Sequence, residues 1–97
     1  MENGARKAGY TLKTAVEIVA WPRAQNYGCM VKSATHIAEL WSAYLGHKIE
    51  PWEAMQMMAL LKISRDKNGG YHADNAIDQA GYAAIAGQVR GHYADKS

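Results

Sequence analysis

The chain has 97 residues, of which 48% are hydrophobic and 21% are charged. This length supports one hydrophobic core and excludes a large multidomain enzyme, and the apolar content excludes a disordered chain. The formal net charge of +2 excludes a polycationic binder of extended nucleic acid or membrane surfaces, but it permits a local anion site. The single cysteine allows neither an internal disulfide nor a zinc cluster, so we expect a cytoplasmic protein without structural metal or cofactor. No segment resembles a membrane span or a secretion signal.

The first predicted elements are an N-terminal arm and one helix. Residues 1–10 combine glycine with charged residues, which predicts a flexible arm ahead of a single helical domain at 11–93 and a tail at 94–97. Thr11 is a suitable N-cap, the following apolar residues recur at helical spacing, and Pro22 ends the run. The sequence therefore predicts helix one between Thr11 and Trp21, followed by a loop over residues 22–32.

The second and third predicted helices have clear boundary signals. Ser33 can cap helix two, and Gly46 suits the left-handed conformation that follows a helix. Pro51 suits the first turn of helix three, where its missing N–H would have no partner in any case. Apolar residues then spread around more than one face of this segment. That distribution predicts that helix three is the most buried element and the centre of the fold.

A glycine-containing loop over residues 66–72 precedes a fourth predicted helix, which Asp74 can cap. The fourth helix carries a surface of small residues, Ala80, Ala84, Gly87 and Gly91, with Gly81 and Ala83 beside them. Since each glycine costs a helix up to about 1 kcal/mol, this surface predicts close packing against another helix. No strand-like alternation occurs, so the predicted fold class is all-α, a compact four-helix single domain. Its thin core and its surplus of methionine and tryptophan predict a homo-oligomer.

Charged residues concentrate at the predicted hairpin between helices three and four, and three interpretations are open. In the structural interpretation, Asp74 is a helix cap and Asp78 pairs with Lys62 or Arg65. In the second interpretation, the basic side chains and the start of helix four bind a phosphate group. In the third, Asp74 and Asp78, with or without His72, hold a hard cation such as Mg²⁺.

A second polar set lies in and after the first loop and comprises Arg23, Tyr27, Lys32 and His36. Cations beside an aromatic ring suit a nucleobase with its phosphates, because the ring stacks and the cations neutralise charge. None of the common nucleotide-binding, hydrolase or metalloprotease motifs is present. The sequence therefore assigns no catalytic residue.

Four segments carry a family resemblance: PRAQNYG (22–28), IAELWSAYLG (37–46), AMQMMALLKISR (54–65) and HADNAIDQAGYAAIA (72–86). Over residues 20–88 the chain resembles a domain of unknown function found in short phage and prophage proteins. The Lys-Ile-X-Arg and Asp-X-X-Gly-Tyr segments are also similar to phage nucleotide-modification-associated domains, which implies a nucleotide ligand. The ligand-binding positions that the resemblance implies are Arg23, Tyr27, Lys62, Arg65, His72, Asp74, Asn75, Asp78 and Tyr82.

The chain is more distantly similar to the all-helical nucleoside triphosphate pyrophosphohydrolases. Those enzymes hold Mg²⁺ with a Glu-X-X-Glu pair on one helix and a Glu-X-X-Asp pair on the next. This acidic quartet is missing here, which argues against hydrolysis but not against binding. We therefore expect non-catalytic binding of a phosphate-containing nucleotide, such as a bacterial immune signal that a phage sequesters. The alternatives are a Mg²⁺-dependent pyrophosphohydrolase-like enzyme and a protein-directed inhibitor of a host defence complex.

Overall fold

In a computed structural model of the chain, described over residues 4–20 and 30–94, four α-helices follow a short 3-10 turn at Gly4–Arg6. The helices are α1 (Ala8–Ala20), α2 (Met30–Leu45), α3 (Pro51–Gly69) and α4 (Ala73–Ala94). The described residues contain no strand, and the prediction of an all-α single domain is confirmed. None of the described helices is long and apolar enough to cross a bilayer.

The first two helices begin earlier than the sequence predicts. In α1, the N–H of Thr11 donates to the carbonyl of Lys7 at 3.3 Å, so this threonine lies inside the helix instead of capping it. Helix α2 begins at Met30, three residues before the predicted cap at Ser33. Extending a helix by one turn of ordinary residues costs only a few tenths of a kcal/mol per residue, so a polar residue suited to a cap does not by itself set the boundary. Residues 30–32 are therefore helical, as are residues 8–10 of the predicted arm.

The connection between α2 and α3 follows the sequence signals. Gly46 has φ 67°, which confirms its predicted role as the left-handed terminator of α2. The hydroxyl oxygen of Ser42 accepts the N–H of Ile49 at 2.8 Å, which fastens the connection to the end of α2. Pro51 occupies the first turn of α3 as predicted, and the carboxylate of Glu53 accepts the N–H of Glu50 at 2.9 Å. This connection fixes where α3 starts relative to α2.

The hairpin between α3 and α4 is tighter than predicted. Helix α3 continues to Gly69, and Gly70, with φ 78°, ends it, so most of the predicted loop is helical. Helix α4 begins at Ala73, so Asp74 lies in its first turn and the prediction that it is the N-cap is wrong. The weak helix formers near the end of α3 are tolerated because this helix packs along the length of α4. Asp74 still places a negative charge at the positive end of α4.

Helix α4 is the centre of the fold, and the prediction that helix three is central is wrong. Helix α4 packs against α1, α2 and α3, whereas α3 has only two buried residues, Ala54 and Met55. The apolar residues of α3 surround the helix, so Leu60 and Ile63 remain 62% and 50% exposed. The small and β-branched residues of α4 instead let three helices approach its axis. The buried residues of α4 are Asn75, Ile77, Gly81, Ile85, Ala86 and Val89.

The small-residue surface of α4 permits close packing at one position. A Cβ atom added at Gly81 would lie 3.3 Å from Cγ2 of Val19, so α1 approaches α4 closely there. A Cβ atom at Gly87 or Gly91 would meet no described atom within 4 Å. The predicted close contact is therefore confirmed at Gly81, while Gly87 and Gly91 lie outside it.

Candidate functional site

A half-buried ion pair joins α3 to α4. The Nζ atom of Lys62 lies 3.0 Å from Oδ2 of Asp78, and the two side chains retain 15% and 23% of their exposure. The structural interpretation of the hairpin charges is confirmed for this pair. A phosphate bound by Lys62 would have to compete with the Asp78 carboxylate, so Lys62 is a poorer anion ligand than the sequence predicts.

Beyond this ion pair, at the tip of the hairpin, lies a shallow depression. Its described lining comprises Ser64, Arg65, Asn68, Gly69, His72 and Asn75. These side chains provide a guanidinium, an imidazole, two carboxamides and a hydroxyl, and no carboxylate belongs to the described lining. We call this surface the hairpin depression.

Local contacts shape the hairpin depression. The N–H of Asn75 donates to the carbonyl of His72 at 3.0 Å, which closes the turn at the start of α4. The carboxamide of Asn68 donates to the hydroxyl of Ser64 at 3.4 Å, one turn earlier on α3. Asn75 is 7% exposed, whereas Arg65 and His72 are exposed. The side chains of Arg65 and His72 therefore stand at the rim of the depression, and the amide of Asn75 forms part of its base.

The remaining predicted site residues lie elsewhere. Asp74 is exposed on the first turn of α4 and does not line the hairpin depression. Asp78 and Tyr82 line a small cavity between α4 and α1, beside Ile18 and Val19. Arg23 and Tyr27 lie outside the described residues. The structure thus brings Arg65, His72 and Asn75 together and sets Lys62 and Asp78 apart as an ion pair.

The cation interpretation of the hairpin is not supported. Within residues 4–20 and 30–94, no three His, Cys, Asp or Glu side chains converge in a way that would hold a metal ion. One of the two predicted carboxylates, Asp78, contacts Lys62. The arrangement of Asp74, Asp78 and His72 proposed for Mg²⁺ is therefore not formed by the described residues.

A second concave surface lies between α2 and the last turn of α4. Its lining comprises Val31, Lys32, Thr35, His36, Glu39, His92 and Tyr93. We call this surface the α2–α4 cleft. The sequence predicts a loop at Lys32 and assigns His92 to no site. Lys32, His36 and Glu39 are spaced so that they lie on one face of a helix. This shared face would be visible in the sequence if α2 were predicted to begin before Lys32.

Aromatic and polar contacts hold the floor of the α2–α4 cleft. The hydroxyl of Thr35 donates to the carbonyl of Val31 at 2.8 Å, so the 2.6 Å contact between Thr35 and Tyr93 has the tyrosine hydroxyl as donor. The Tyr93 ring packs against Trp52, with centroids 6.1 Å apart, and the guanidinium of Arg90 lies 4.2 Å from the Trp52 ring centroid. These contacts fix the position of Tyr93.

Sequence comparisons match the chain to a family profile and to phage proteins. Residues 10–90 match the profile of a family described as a domain of unknown function, DUF6378. The Gene 55 protein of Mycobacterium phage L5 is 45% identical over 75 residues, which cover 76% of this chain and 48% of that protein. The Gene 55 protein of Mycobacterium phage D29 is 36% identical over 78 residues, which cover 80% of this chain and 52% of that protein.

The chain therefore spans about half the length of the curated relatives that it matches. No solved structure matches it. The predicted resemblance to a phage domain of unknown function is confirmed, whereas the similarity to nucleotide-modification domains stays a prediction. Since the family profile covers residues 10–90 of the 97, the chain belongs to the DUF6378 family.

Proposed function

We propose that the protein binds a phosphate-containing nucleotide at the hairpin depression without consuming it. The observation that carries the proposal is the lining of this surface, which offers a guanidinium, an imidazole and amide N–H groups but no carboxylate among its described residues. A guanidinium matches the oxygens of a phosphate with two parallel hydrogen bonds, and the positive end of α4 adds to the local potential.

Lys62 and Arg65 of α3 take different roles in this proposal because their surroundings differ. Lys62 is held 3.0 Å from Asp78 and is mostly buried, so its charge is already compensated. Arg65 is exposed at the rim of the depression. We therefore assign the main phosphate contact to Arg65, with His72 opposite. Arg23 and Tyr27, which lie outside the described residues, stay part of the proposal as contacts to the base or ribose.

Binding without turnover is the chemistry that this lining favours. Phosphoanhydride hydrolysis assisted by Mg²⁺ needs several carboxylates to hold the ion and to orient a water molecule. The described lining of the depression contains no carboxylate. Because the curated relatives are phage proteins, sequestration of a bacterial signalling nucleotide is the biological role that we propose.

A thermal-shift screen tests the proposal. The panel contains mononucleotides, cyclic di- and trinucleotides and ADP-ribose derivatives. A ligand present at a hundred times its Kd stabilises the fold by about 2.7 kcal/mol, which such a screen detects. We expect at least one member to raise Tm. No stabilisation by any member, together with capture of a defined host protein, would contradict the proposal and favour the protein-directed inhibitor.

Substitutions on α3 then test the site, with the most stabilising nucleotide as probe. Arg65→Ala should weaken its binding by roughly ten- to a hundredfold, the cost of losing one charged hydrogen-bonded contact. Lys67→Ala is the matched control, because Lys67 is also exposed near the end of α3 but does not line the depression. Equal losses of affinity from both substitutions would show that binding depends only on overall positive charge. This result would contradict the proposed site.

Turnover is tested separately. The wild-type protein is incubated with Mg²⁺ and each nucleoside triphosphate, and the products are separated by chromatography. We expect the nucleotides to be recovered intact. Hydrolysis that Asp78→Asn abolishes would show that the protein is a metal-dependent enzyme.

Self-association is the second part of the proposal. Four apolar side chains of α1 and α3 are at least half exposed, which is unfavourable for an isolated monomer when such residues form patches. They are Leu12, Val16, Leu60 and Ile63. Light scattering at micromolar concentration and physiological salt should give a mass above that of one chain. A monomer mass under those conditions would contradict this part alone.

A further inference from the structure

The α2–α4 cleft joins side chains from two helices that are distant in sequence. Lys32 and His36 come from successive turns of α2, and His92 comes from the last turn of α4. Their imidazoles and ammonium group are exposed at the rim, while Thr35 and Tyr93 are half buried beneath them. Convergence of three nitrogen groups from two helices is an arrangement that neither helix produces alone.

The floor of the cleft is preorganised. Tyr93 donates its hydroxyl to Thr35 at 2.6 Å, packs against Trp52, and lies roughly perpendicular to the ring of His92 with ring centroids 5.0 Å apart. A ring held by several contacts loses little conformational entropy when a ligand packs against it. Val31 supplies further apolar surface beside the ring. The floor therefore suits the apolar or aromatic part of a small molecule.

The rim of the cleft is polarised along α2. Lys32 and His36 lie one turn apart, and Glu39 lies seven residues beyond Lys32, which corresponds to about 10 Å along the helix axis. An anionic group therefore fits at the Lys32 end and is disfavoured at the Glu39 end. This polarity excludes a ligand that carries negative charge along its whole length.

We infer that the α2–α4 cleft is a second ligand site, which takes a small organic anion with an aromatic body. The anionic group contacts Lys32, His36 and His92, and the aromatic body packs on Val31 and Tyr93. This site is distinct from the hairpin depression, since Asn75 and His92 are separated by about 25 Å along α4. The inference does not depend on the proposed nucleotide site.

The four histidines of the chain allow one experiment to separate the two sites. His36 and His92 line the α2–α4 cleft, His72 lines the hairpin depression, and His47 lines neither of these surfaces. The ring-proton signals of the full chain are assigned with single His→Gln variants and followed by NMR during titration with phenyl phosphate. We expect the signals of His36 and His92 to move together while that of His47 stays in place. Movement of His72 alone would overturn the second site and support the first, and equal movement of all four would overturn the second site as non-specific.

Matched variants test which groups bind the anion. Lys32→Ala and His36→Gln should each lower the affinity for phenyl phosphate at least fivefold. The controls are Lys13→Ala on α1 and His47→Gln, which change exposed residues outside the cleft and should alter affinity less than twofold. All four changes lie at exposed positions, and unchanged circular dichroism checks that each variant is folded. Equal losses in variants and controls would overturn the assignment.

A comparison of probes tests the aromatic part of the inference. Inorganic phosphate should bind the cleft at least fivefold more weakly than phenyl phosphate, because it cannot use the floor formed by Val31 and Tyr93. Tyr93→Leu should reduce the preference for phenyl phosphate and should leave the affinity for inorganic phosphate unchanged. Equal affinity of the two probes for the wild-type cleft would overturn the proposed ligand class.

Discussion

The two halves of α4 are held in place by different kinds of contact. In the C-terminal half, residues 84–94, buried side chains join α2 and α3 in one core cluster, and Val89 is completely buried. Aromatic packing around Trp52 and Tyr93 closes this end. In the N-terminal half, residues 73–83, Ile77 is also buried, but the close approach of Val19 to Gly81 and the ion pair of Asp78 with Lys62 add contacts of other kinds.

This difference indicates how stability is distributed along the molecule. Burial of apolar surface dominates folding free energy, whereas an ion pair near the surface contributes about 1 kcal/mol or less. The C-terminal half should therefore provide most of the stability. The N-terminal half ends in the exposed donors of the hairpin depression, where substitutions should change ligand binding more than folding.

The largest expected effect is at the buried end of α4. Val89→Ala should lower the free energy of unfolding by roughly 1 to 3 kcal/mol, because the vacated volume is surrounded by packed side chains. Leu40→Ala on α2 is the control for an exposed apolar side chain, since Leu40 is 57% exposed, and should change stability by less than about 0.5 kcal/mol. Urea unfolding of both variants measures the difference. Equal effects would show that the core is not where the structure locates it.

An intermediate effect is expected at the ion pair of the N-terminal half. A double-mutant cycle with Lys62→Met and Asp78→Asn should give a coupling of roughly 1 kcal/mol, since both side chains are mostly shielded from water. The control cycle uses Lys48 and Glu50, which are 3.8 Å apart with the lysine 78% exposed. That pair should couple by less than about 0.3 kcal/mol. A coupling of similar size in both cycles would contradict the shielding of the Lys62 pair.

The smallest expected effect is the difference in stability change between alanine substitutions at a glycine of each half. Gly87→Ala should stabilise the protein by about 0.5 to 1 kcal/mol, because alanine is the better helix former and its Cβ meets no described atom. At Gly81, the new Cβ would lie 3.3 Å from Val19, so crowding should offset the gain. Thermal unfolding measures both variants. If Gly81→Ala stabilises as much as Gly87→Ala, α1 does not approach α4 as closely as described.

Local rules account for the parts of the fold that the sequence predicts correctly. Gly46 ends α2 and Pro51 starts α3 because each residue has a conformational preference that needs no distant partner. The pairing of Lys62 with Asp78 is also predictable, since a short hairpin between two helices brings these positions together. The donor residues Arg65, His72 and Asn75 meet at the hairpin depression for the same reason.

Distant contacts account for the predictions that failed. The apolar residues around α3 suggest a buried helix, but Leu60 and Ile63 are exposed because no described helix covers that face. Asp66 and Asn68 are helical because α3 packs along α4, a gain that outweighs their weak preference for helix. The α2–α4 cleft was missed because His92 and Tyr93 meet Thr35 across 58 residues of sequence, as the hydrogen bond from Tyr93 to Thr35 shows.

The sequence by itself determined the helical class, the connection between α2 and α3, and the donors at the hairpin, because each depends on residues within a few turns of one another. Only the tertiary structure decided that α4 is central, that Asp78 pairs with Lys62 and not with Arg65, and that α2 and α4 form a cleft. The central position of α4 and the pairing of Lys62 with Asp78 depend on which helix faces meet in the folded chain. Periodicity along one helix shows that a face is apolar, but it does not show which other helix will cover that face.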